Sequence, residues 1–320
     1  MIPRTRAATA YRLRSPRSGR EAAMIPTVSL TALTAGDPRA VDAIHTATRD
    51  VGLFYVDGSP EFAKDLFDIS RRFFALPMAD KQAISITRSP NYRGYVGMGE
   101  ESTNGAADLK ESFEFGMESL PPSVAHPPPY YQMYGGNQWP SELALPGFRS
   151  AIEAYSAYQE QIGAAVVVAL AGTLGLSGVL GQSDSAFGEA LCSFARVIYY
   201  GNPGAYGDDA RLAAHTDSGM VTVSVQDCPG LEVLAGGEWV SVAPPDGCCV
   251  VFTGELLELW SSGYYRACVH RVHNRALRGD RVSLITFFIP ELRSVLRPVG
   301  GSGAEFVVGE REWARVGQIF

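Results

Sequence analysis

Residues 215–225 read His-Thr-Asp-Ser-Gly-Met-Val-Thr-Val-Ser-Val, and the interpretation of the whole chain starts from this stretch. The β-branched run Met220–Val225 predicts a buried strand. We place His215-Thr216-Asp217 at the start of a strand, where successive side chains point to opposite faces. His215 and Asp217 would then share one face, so an imidazole and a carboxylate are predicted to lie side by side.

Short apolar runs of the same kind recur after Gly181, separated by Gly, Pro, Asn and Asp. Regular short strands with such turns are typical of a β-sandwich or jelly roll. The predicted strands are Ala195–Tyr200, Met220–Val225, Leu231–Leu234, Trp239–Val242, Cys248–Phe252, Ala267–Val272 and Val282–Ile289. The first half of the chain instead shows helical spacing at about 38–50 and 60–75, strand signals at 25–30 and 52–56, and a looped segment at 88–145. A long helix is predicted from about Pro146 to Gly175.

The predicted fold class is therefore mainly β with flanking α. A C-terminal double-stranded β-core would be supported by the long helix and an α/β N-terminal region. We expect five segments along the chain: a disordered arginine-rich extension at 1–23, an N-terminal helical and loop region at 24–145, the long supporting helix at 146–180, the core at 181–292, and a C-terminal segment near the substrate pocket at 293–320.

A third metal ligand is available from His270, which lies in a predicted strand 53 residues after Asp217. Two histidines and one carboxylate on one face of an octahedron leave three adjacent positions open, as in non-haem Fe(II) oxygenases. A lone His-x-Asp or a lone histidine in a strand is a weak signal, because both are common in turns and cores. The combination predicts an Fe(II) site formed by His215, Asp217 and His270.

Arg281-Val282-Ser283 strengthens that prediction. The polar stretch 274–280 suggests a turn, so residues 267–272 and 281–288 are predicted to form a hairpin that brings Arg281 and Ser283 beside His270. An arginine binds a carboxylate through two parallel hydrogen bonds, and a serine hydroxyl can add a third. The alternative is a structural ion pair between Arg281 and an acid such as Glu255 or Asp280.

Together these motifs resemble the isopenicillin N synthase-like branch of the 2-oxoglutarate- and Fe(II)-dependent dioxygenases. The resemblance covers about residues 24–292. In the N-terminal half it is carried by Ile25-Pro26, Gly52-Leu53-Phe54-Tyr55, Phe73-Phe74-Ala75-Leu76-Pro77 with Lys81, Arg93-Gly94-Tyr95, Asp108-Leu109-Lys110-Glu111-Ser112-Phe113 and Asn137-Gln138-Trp139-Pro140. In the core it is carried by His215-Thr216-Asp217, Gly230-Leu231, Gly254-Glu255, Ser262-Gly263, His270-Arg271-Val272 and Arg281-Val282-Ser283.

The resemblance implies a distorted double-stranded β-helix (jelly-roll) core. It also implies Fe(II) on the triad, O₂, possible stimulation by ascorbate, and 2-oxoglutarate held by Arg281 and Ser283, with Tyr200 reaching the same co-substrate. It implies an enzyme that hydroxylates, desaturates or cyclises a small molecule, and we expect a role in secondary metabolism such as antibiotic biosynthesis. Arg93 lies where some relatives place an arginine that binds a substrate carboxylate. Tyr95 and Phe287 are further candidates for the substrate pocket.

Three other functions are compatible with the sequence. The first is an oxidase that needs no 2-oxoglutarate, like isopenicillin N synthase or the aminocyclopropane oxidases, in which the Arg-x-Ser pair binds the substrate carboxylate. The second is ethylene-forming fragmentation of 2-oxoglutarate. The third is a non-catalytic metal- or ligand-binding β-core protein, which the complete triad disfavours.

Composition indicates which binding partners and which cellular compartment to expect. The net charge is −7, and neither nucleic acid nor an anionic membrane is an expected partner, because both select basic surfaces. The apolar stretch 162–176 is too short to span a bilayer. The chain has five cysteines, an odd number, without zinc-type spacing, so free thiols and a cytoplasmic location are expected.

Overall fold

The computed structural model describes residues 25–57, 63–103, 105–118, 123–182, 185–201, 210–273, 279–301 and 303–319. The predicted extension 1–23 and most of the predicted turn 274–280 lie outside these ranges. The helices are α1 (Leu30–Thr34), α2 (Pro38–Asp50), α3 (Ala63–Phe74), α4 (Met78–Ala83), α5 (Phe148–Thr173), α6 (Glu255–Trp260) and α7 (Val308–Ile319), with 3-10 turns at Ile86–Arg88 and Pro129–Met133. None of the helices described is long and apolar enough to cross a membrane.

The strands in the described ranges are β1 (Thr27–Ser29), β2 (Leu53–Asp57), β3 (Gly94–Val96), β4 (Ser102–Thr103), β5 (Ala106–Ala107), β6 (Glu111–Gly116), β7 (Cys192–Tyr200), β8 (Ala210–His215), β9 (Val221–Gln226), β10 (Leu231–Ala235), β11 (Glu238–Ser241), β12 (Cys248–Thr253), β13 (His270–His273), β14 (Arg281–Ile289), β15 (Val295–Leu296) and β16 (Phe306–Val307). Most predicted core strands are therefore confirmed to within a few residues. The run at 267–272 is the exception, because its strand begins only at His270.

Two facing sheets form the core. The larger has eight strands in the order β1-β2-β12-β9-β14-β7-β6-β3, and the smaller has the order β11-β10-β13-β8. Side chains from both sheets pack in one buried apolar cluster, which includes Ile198 and Val250 from the larger sheet and Val233 and Val272 from the smaller. This arrangement confirms the predicted jelly-roll fold class. The interior between the two sheets is where the candidate site lies.

The long helix α5 supports the outer face of the larger sheet. It begins at Phe148 and ends at Thr173, close to the predicted bounds. Buried apolar side chains at helical spacing contact the sheet, and each such side chain stabilises the fold by about 1.5–3 kcal/mol. Gln159 also donates to the carbonyl of Val223 (3.0 Å) and accepts from Thr286 Oγ1 (2.5 Å). The helix thereby fixes β9 and β14, which both carry residues of the candidate site.

The N-terminal region contributes strands to the same large sheet. β2 pairs with β12 at one end, and β6 pairs with β7 at the other. The segment boundaries proposed from the sequence remain a prediction. The larger sheet combines strands from both halves of the chain, from β1 to β14.

The predicted hairpin between residues 267–272 and 281–288 is wrong. β13 pairs with β10 and β8 in the smaller sheet, whereas β14 pairs with β7 and β9 in the larger one. In a jelly roll, consecutive strands can belong to opposite sheets, and a polar connection does not reveal which partner a strand takes. Arg281 therefore faces His270 across the interior rather than along a hairpin.

The predicted position of the His-x-Asp motif within its strand is also wrong. β8 ends at His215, and Asp217 lies in the connection to β9 instead of near the start of a strand. The backbone carbonyls of residues 217–219 accept hydrogen bonds from Glu255 and Leu256 at the start of α6, so this segment does not pair with a strand. Strand alternation therefore does not explain why His215 and Asp217 lie together.

Candidate metal centre

His215, Asp217 and His270 converge on one point of the interior. One ligand atom of each residue can be chosen so that all three lie within 4.8 Å of one another. The Nε2 atoms of His215 and His270 are each 3.6 Å from Asp217 Oδ1. The two histidines are opposite each other in the β13–β8 pair, which places their rings side by side. Two nitrogens and a carboxylate in this arrangement suit a divalent metal with open positions.

Hydrogen bonds orient both imidazole rings for metal binding. The carbonyls of Ala213 and Cys268 lie 2.9 and 3.0 Å from Nδ1 of His215 and His270, respectively. A carbonyl only accepts, so Nδ1 carries the proton and Nε2 keeps its lone pair. Burial, together with the neighbouring His270, lowers the pKa of His215 to about 4, so its ring is neutral near pH 7. Phe252 stacks on the His270 ring at 4.8 Å and holds it in place.

Thr222 holds the carboxylate of the candidate triad. Its Oγ1 donates to Asp217 Oδ2 at 2.6 Å, which leaves Oδ1 directed towards the histidines. Sequence reasoning missed Thr222. The only signal in the sequence was a threonine among valines, close to the His-x-Asp motif. Threonine often occurs in strands without any functional role, so this signal did not point to Thr222.

The segment that carries Asp217 is fixed by a close approach of two glycines. The Glu255 amide donates to the Asp217 carbonyl at 2.8 Å, and the Gly254 amide donates to the Met220 carbonyl at 3.0 Å. A Cβ atom on Gly254 would lie 2.2 Å from the Gly219 carbonyl oxygen and 3.0 Å from that of Asp217. Backbone atoms cannot yield as a flexible side chain can, so glycine is required at position 254.

We therefore expect Gly254→Ala to lower the unfolding free energy by about 1–3 kcal/mol, because inserted atoms displace a packed backbone. It should also weaken metal binding, since the displaced segment carries Asp217. Thermal unfolding with and without added metal measures both effects. Gly172→Ala is the matched control, because that helical glycine has no atom within 4 Å of the added Cβ. Equal melting temperatures for the two variants would contradict the close-approach argument.

The candidate co-substrate site lies at the end of β7 and β14. Tyr200 and Arg281 are register partners, and the Arg281 guanidinium lies 5.2 Å from the centre of the Tyr200 ring. Arg281 Nη1 donates to Ser283 Oγ at 3.2 Å. Arg281 Nε and the Tyr200 hydroxyl are both buried and have no hydrogen-bond partner among the described residues. Burial raises the pKa of Tyr200 to about 12, so the phenol keeps its proton. Buried donors of this kind suit a bound carboxylate.

Gln226 is a further residue of this site that the sequence did not reveal. Arg281 Nη2 donates to Gln226 Oε1 at 2.7 Å, and this contact fixes the orientation of the guanidinium. The ion pairs considered as the alternative for Arg281 do not form. Asp280 pairs with Arg71, and Glu255 pairs with Arg311 and Arg315.

The structure separates the three predicted substrate residues. Phe287 is half-buried on the interior face of β14, opposite Phe194. Arg93 is buried over the ring of Phe194, in a small cavity also lined by Met133, Tyr134, Cys192 and Leu292. Tyr95 is not brought to this place, because it packs against Phe73 in the apolar core on the other side of the sheet. Arg93 lies before β3, which begins at Gly94, and the backbone has positive φ angles at Tyr92 (58°) and Gly94 (124°), so strand alternation does not put Arg93 and Tyr95 on the same face.

Comparison with known proteins agrees with this geometry. Residues 25–142 match the family model described as non-haem dioxygenase in morphine synthesis N-terminal, and residues 192–290 match the 2OG-Fe(II) oxygenase superfamily. The chain is 30% identical to clavatol oxidase of Penicillium crustosum, over 83% of this chain and 84% of that protein. It is 32% identical to validamycin A dioxygenase of Streptomyces hygroscopicus subsp. limoneus, over 89% and 84%.

Among solved structures, a full-length Neurospora crassa protein in complex with alpha-KG and thymine has a similar fold. The TM-score is 0.78 at 24% identity, over 94% of this chain and 98% of that one.

Proposed function

Because the chain belongs to the 2OG-Fe(II) oxygenase superfamily, we propose that it oxidises a small, carboxylate-bearing molecule at an iron held by His215, Asp217 and His270. The observation that carries the proposal is the convergence of these three ligand atoms within 4.8 Å. Both histidines are oriented by backbone carbonyls and the carboxylate by Thr222. The donor set therefore fits Fe(II).

The enzyme is a 2-oxoglutarate-dependent dioxygenase, and its cofactors are Fe(II) and 2-oxoglutarate. When bound, they supply the oxidative decarboxylation of 2-oxoglutarate that is coupled to oxidation of the substrate by O₂. In our proposal the side chains of the protein bind and orient the co-substrate. Arg281 and Ser283 bind the carboxylate remote from the metal, and the Tyr200 hydroxyl donates to the same ligand. Gln226 keeps the Arg281 guanidinium in position.

Two separate buried arginines favour this function over an oxidase that needs no 2-oxoglutarate. Arg281 lies at one end of β14, opposite Tyr200, whereas Arg93 lies near the other end, over the ring of Phe194 at 4.8 Å. A buried guanidinium is unfavourable unless an anion or good acceptors meet it. Two such sites can take two carboxylates, one from the co-substrate and one from the substrate.

Arg93 is the proposed ligand of the substrate carboxylate. Only 5% of the residue is exposed, and its Nε has no hydrogen-bond partner in the described part of the chain. Its Nη2 makes a long contact of 3.5 Å with the Met133 carbonyl. Burial lowers the pKa of Arg93 to about 10, so it is still charged near pH 7. The Tyr134 hydroxyl, also buried without a partner among the described residues, lines the same cavity and can donate to the same anion.

A turnover screen tests this assignment. We expect small carboxylic acids to stimulate conversion of 2-oxoglutarate to succinate under O₂, and their primary amides to do so poorly. Arg93→Gln should raise the KM for a carboxylate substrate about 10–100-fold, which corresponds to one hydrogen bond to a charged group of about 1.5–3 kcal/mol. The matched control is Arg149→Gln, an exposed arginine that pairs with Glu118 and Glu153. An unchanged KM in Arg93→Gln would contradict the assignment.

The setting of the reaction is proposed on two grounds. Clavatol oxidase and validamycin A dioxygenase are named for secondary metabolites, and we place this enzyme in secondary metabolism as well. All five cysteines are free thiols and four of them are buried, which supports a reducing, cytoplasmic location.

The C-terminal segment is proposed to cover the substrate pocket. Arg311 and Arg315 of α7 pair with Glu255, whose own Oε1 accepts from Thr216 between two metal ligands. Trp313 meets the ring of Tyr92, the neighbour of Arg93, at 5.8 Å. These contacts connect α7 to both the metal segment and the Arg93 segment.

A further inference from the structure

A cluster of largely buried charges lies beside strands β6 and β7 of the larger sheet. It consists of Glu101, Asp108, Lys110, Glu114 and Arg196, and none of the three carboxylates is more than 8% exposed. Lys110 pairs with Glu101 and lies 3.6 Å from Asp108. Arg196 lies 3.2 Å from Glu114 and 3.7 Å from Glu101. The metal centre and the proposed carboxylate sites use none of these contacts.

Arg196 is the member of this charge cluster that reaches the substrate side. It faces the interior from β7, between Glu114 on β6 and Ile285 on β14. Its guanidinium lies 5.4 Å from the centre of the Phe287 ring, and 21% of its side chain is exposed. The side chain therefore opens onto the same space as Phe287. A flat group that stacks on Phe287 would have an edge within reach of this guanidinium.

The charge of Arg196 is already balanced. Although burial lowers the pKa of Arg196, the carboxylates of Glu114 and Glu101 raise it above its ordinary value. Asp217 adds to this rise, so the metal ligand is within electrostatic range of the guanidinium. The charge cluster holds three carboxyl groups and two cations, so each cation already has a carboxylate partner. Burial raises the pKa of Glu114 and Asp108, whereas, against burial, Arg196 and Lys110 hold the pKa of Glu101 below its ordinary value, so Glu101 is the carboxylate that keeps its charge most firmly.

Arg93 differs in this respect. Within the described ranges no carboxylate lies at ion-pair distance from Arg93. Burial lowers the pKa of Arg93, and Glu114, which acts on it from a longer distance, offsets only part of that effect. An anion near Arg196 would meet the repulsion of two carboxylates, whereas an uncharged oxygen would meet only an N–H donor. Like charges brought together in a buried site are strongly unfavourable.

We propose that Arg196 is a specificity residue that donates a hydrogen bond to an uncharged carbonyl oxygen of the substrate beside the metal, and that Glu101 and Glu114 exclude an anion there. The inference rests on the proposed function, because it assigns part of the same substrate pocket. The substrate class is thereby narrowed to molecules with two acceptors: a carboxylate for Arg93 and a neutral carbonyl on a flat group for Arg196.

The test uses benzamide and benzoate, which share a ring and differ in charge. Both are titrated into protein that holds Mn(II) and 2-oxoglutarate, in an Arg93→Gln background that removes the other cation. We expect benzamide to bind at least about 10-fold more tightly than benzoate, since about 1.4 kcal/mol separates them per factor of ten. Adding Glu101→Gln should reverse the preference, because the guanidinium then lacks the counter-charge of Glu101, which lies 3.7 Å away. Adding Arg196→Gln should weaken benzamide binding about 10-fold.

Controls separate this inference from the proposed function and from misfolding. Glu232→Gln removes a carboxylate that pairs with Arg271 in the smaller sheet, and it should leave the benzamide-to-benzoate ratio unchanged. Glu114→Gln is the second variant, should Glu101→Gln fail to fold. Unchanged affinity for 2-oxoglutarate in all variants shows that the co-substrate site is intact. The inference is overturned if benzoate binds at least as tightly as benzamide before the Glu101 change, if the ratio does not respond to that change, or if neither probe binds.

Discussion

Asp217→Ala should leave the protein unable to retain Fe(II). The substitution removes the only anionic ligand of the triad and leaves two neutral imidazoles, which cannot hold the ion against dilution. We expect metal affinity and turnover to fall by more than about 100-fold, since the loss of a group that merely supports a ligand already costs about 10–100-fold. Iron content after gel filtration, together with succinate production, measures both quantities.

The fold of this variant should survive. Asp217 is buried, but its partner Thr222 can turn to other acceptors, and the segment is still held by the amides at the start of α6. Asp57→Ala, at the exposed end of β2, is the control and should keep its iron. If Asp217→Ala retained one iron per chain and normal turnover, Asp217 would not be a ligand.

The second large effect is expected for Arg281→Gln. Two charge-assisted hydrogen bonds to the carboxylate of 2-oxoglutarate would be lost, each of about 1.5–3 kcal/mol, so the Kd should rise about 10²–10⁴-fold. Calorimetric titration of 2-oxoglutarate into the Mn(II)-loaded protein measures it without turnover. Ser283→Ala should have a smaller effect of about 10-fold, because it removes one neutral donor.

Arg271→Gln is the matched control for Arg281→Gln. Arg271 is also an arginine of the β-core with a side-chain partner, Glu232, but it lies on the outer face of the smaller sheet beside Trp239. The Arg271→Gln variant should bind 2-oxoglutarate normally. An unchanged Kd in Arg281→Gln would contradict this assignment, because 2-oxoglutarate would then bind without Arg281.

Residue types and short spacing were enough to predict the triad. Histidine is rare in this chain, and a His-x-Asp motif followed by a distant histidine and an Arg-x-Ser pair leaves few combinations. The jelly roll was also predictable, because short strands with regular turns recur through the second half. For the fold the signal is local in the sequence, whereas for the triad it is the small number of candidate ligands.

Strand pairing was not predictable in the same way. Periodicity shows which residues share a face, but it does not show which strands are neighbours. For this reason the prediction that β13 and β14 form a hairpin was wrong. The site depends instead on His270 and His215 meeting across β13 and β8, and on Arg281 meeting Tyr200 across β14 and β7. These pairings join residues far apart in the sequence.

The supporting residues were missed for a related reason. Gln226, Thr222 and Arg196 are polar side chains in strands, and from the sequence alone they are indistinguishable from residues on an outer, solvent-facing side. Their roles depend on the direction in which each side chain points, and only the packing of the two sheets determines whether that direction is inward. Tyr95 illustrates the opposite error, since the aromatic ring lies near the site in sequence but on the far side of its strand.

An anaerobic titration of 2-oxoglutarate into the Fe(II)-loaded protein tests the central claim most directly. If His215, Asp217 and His270 hold the iron and Arg281 positions the co-substrate on it, a visible charge-transfer band should appear and saturate at one 2-oxoglutarate per iron. The band should be absent in Asp217→Ala and should require far more 2-oxoglutarate in Arg281→Gln. Wild-type protein that holds iron but develops no band at saturating 2-oxoglutarate would contradict the account.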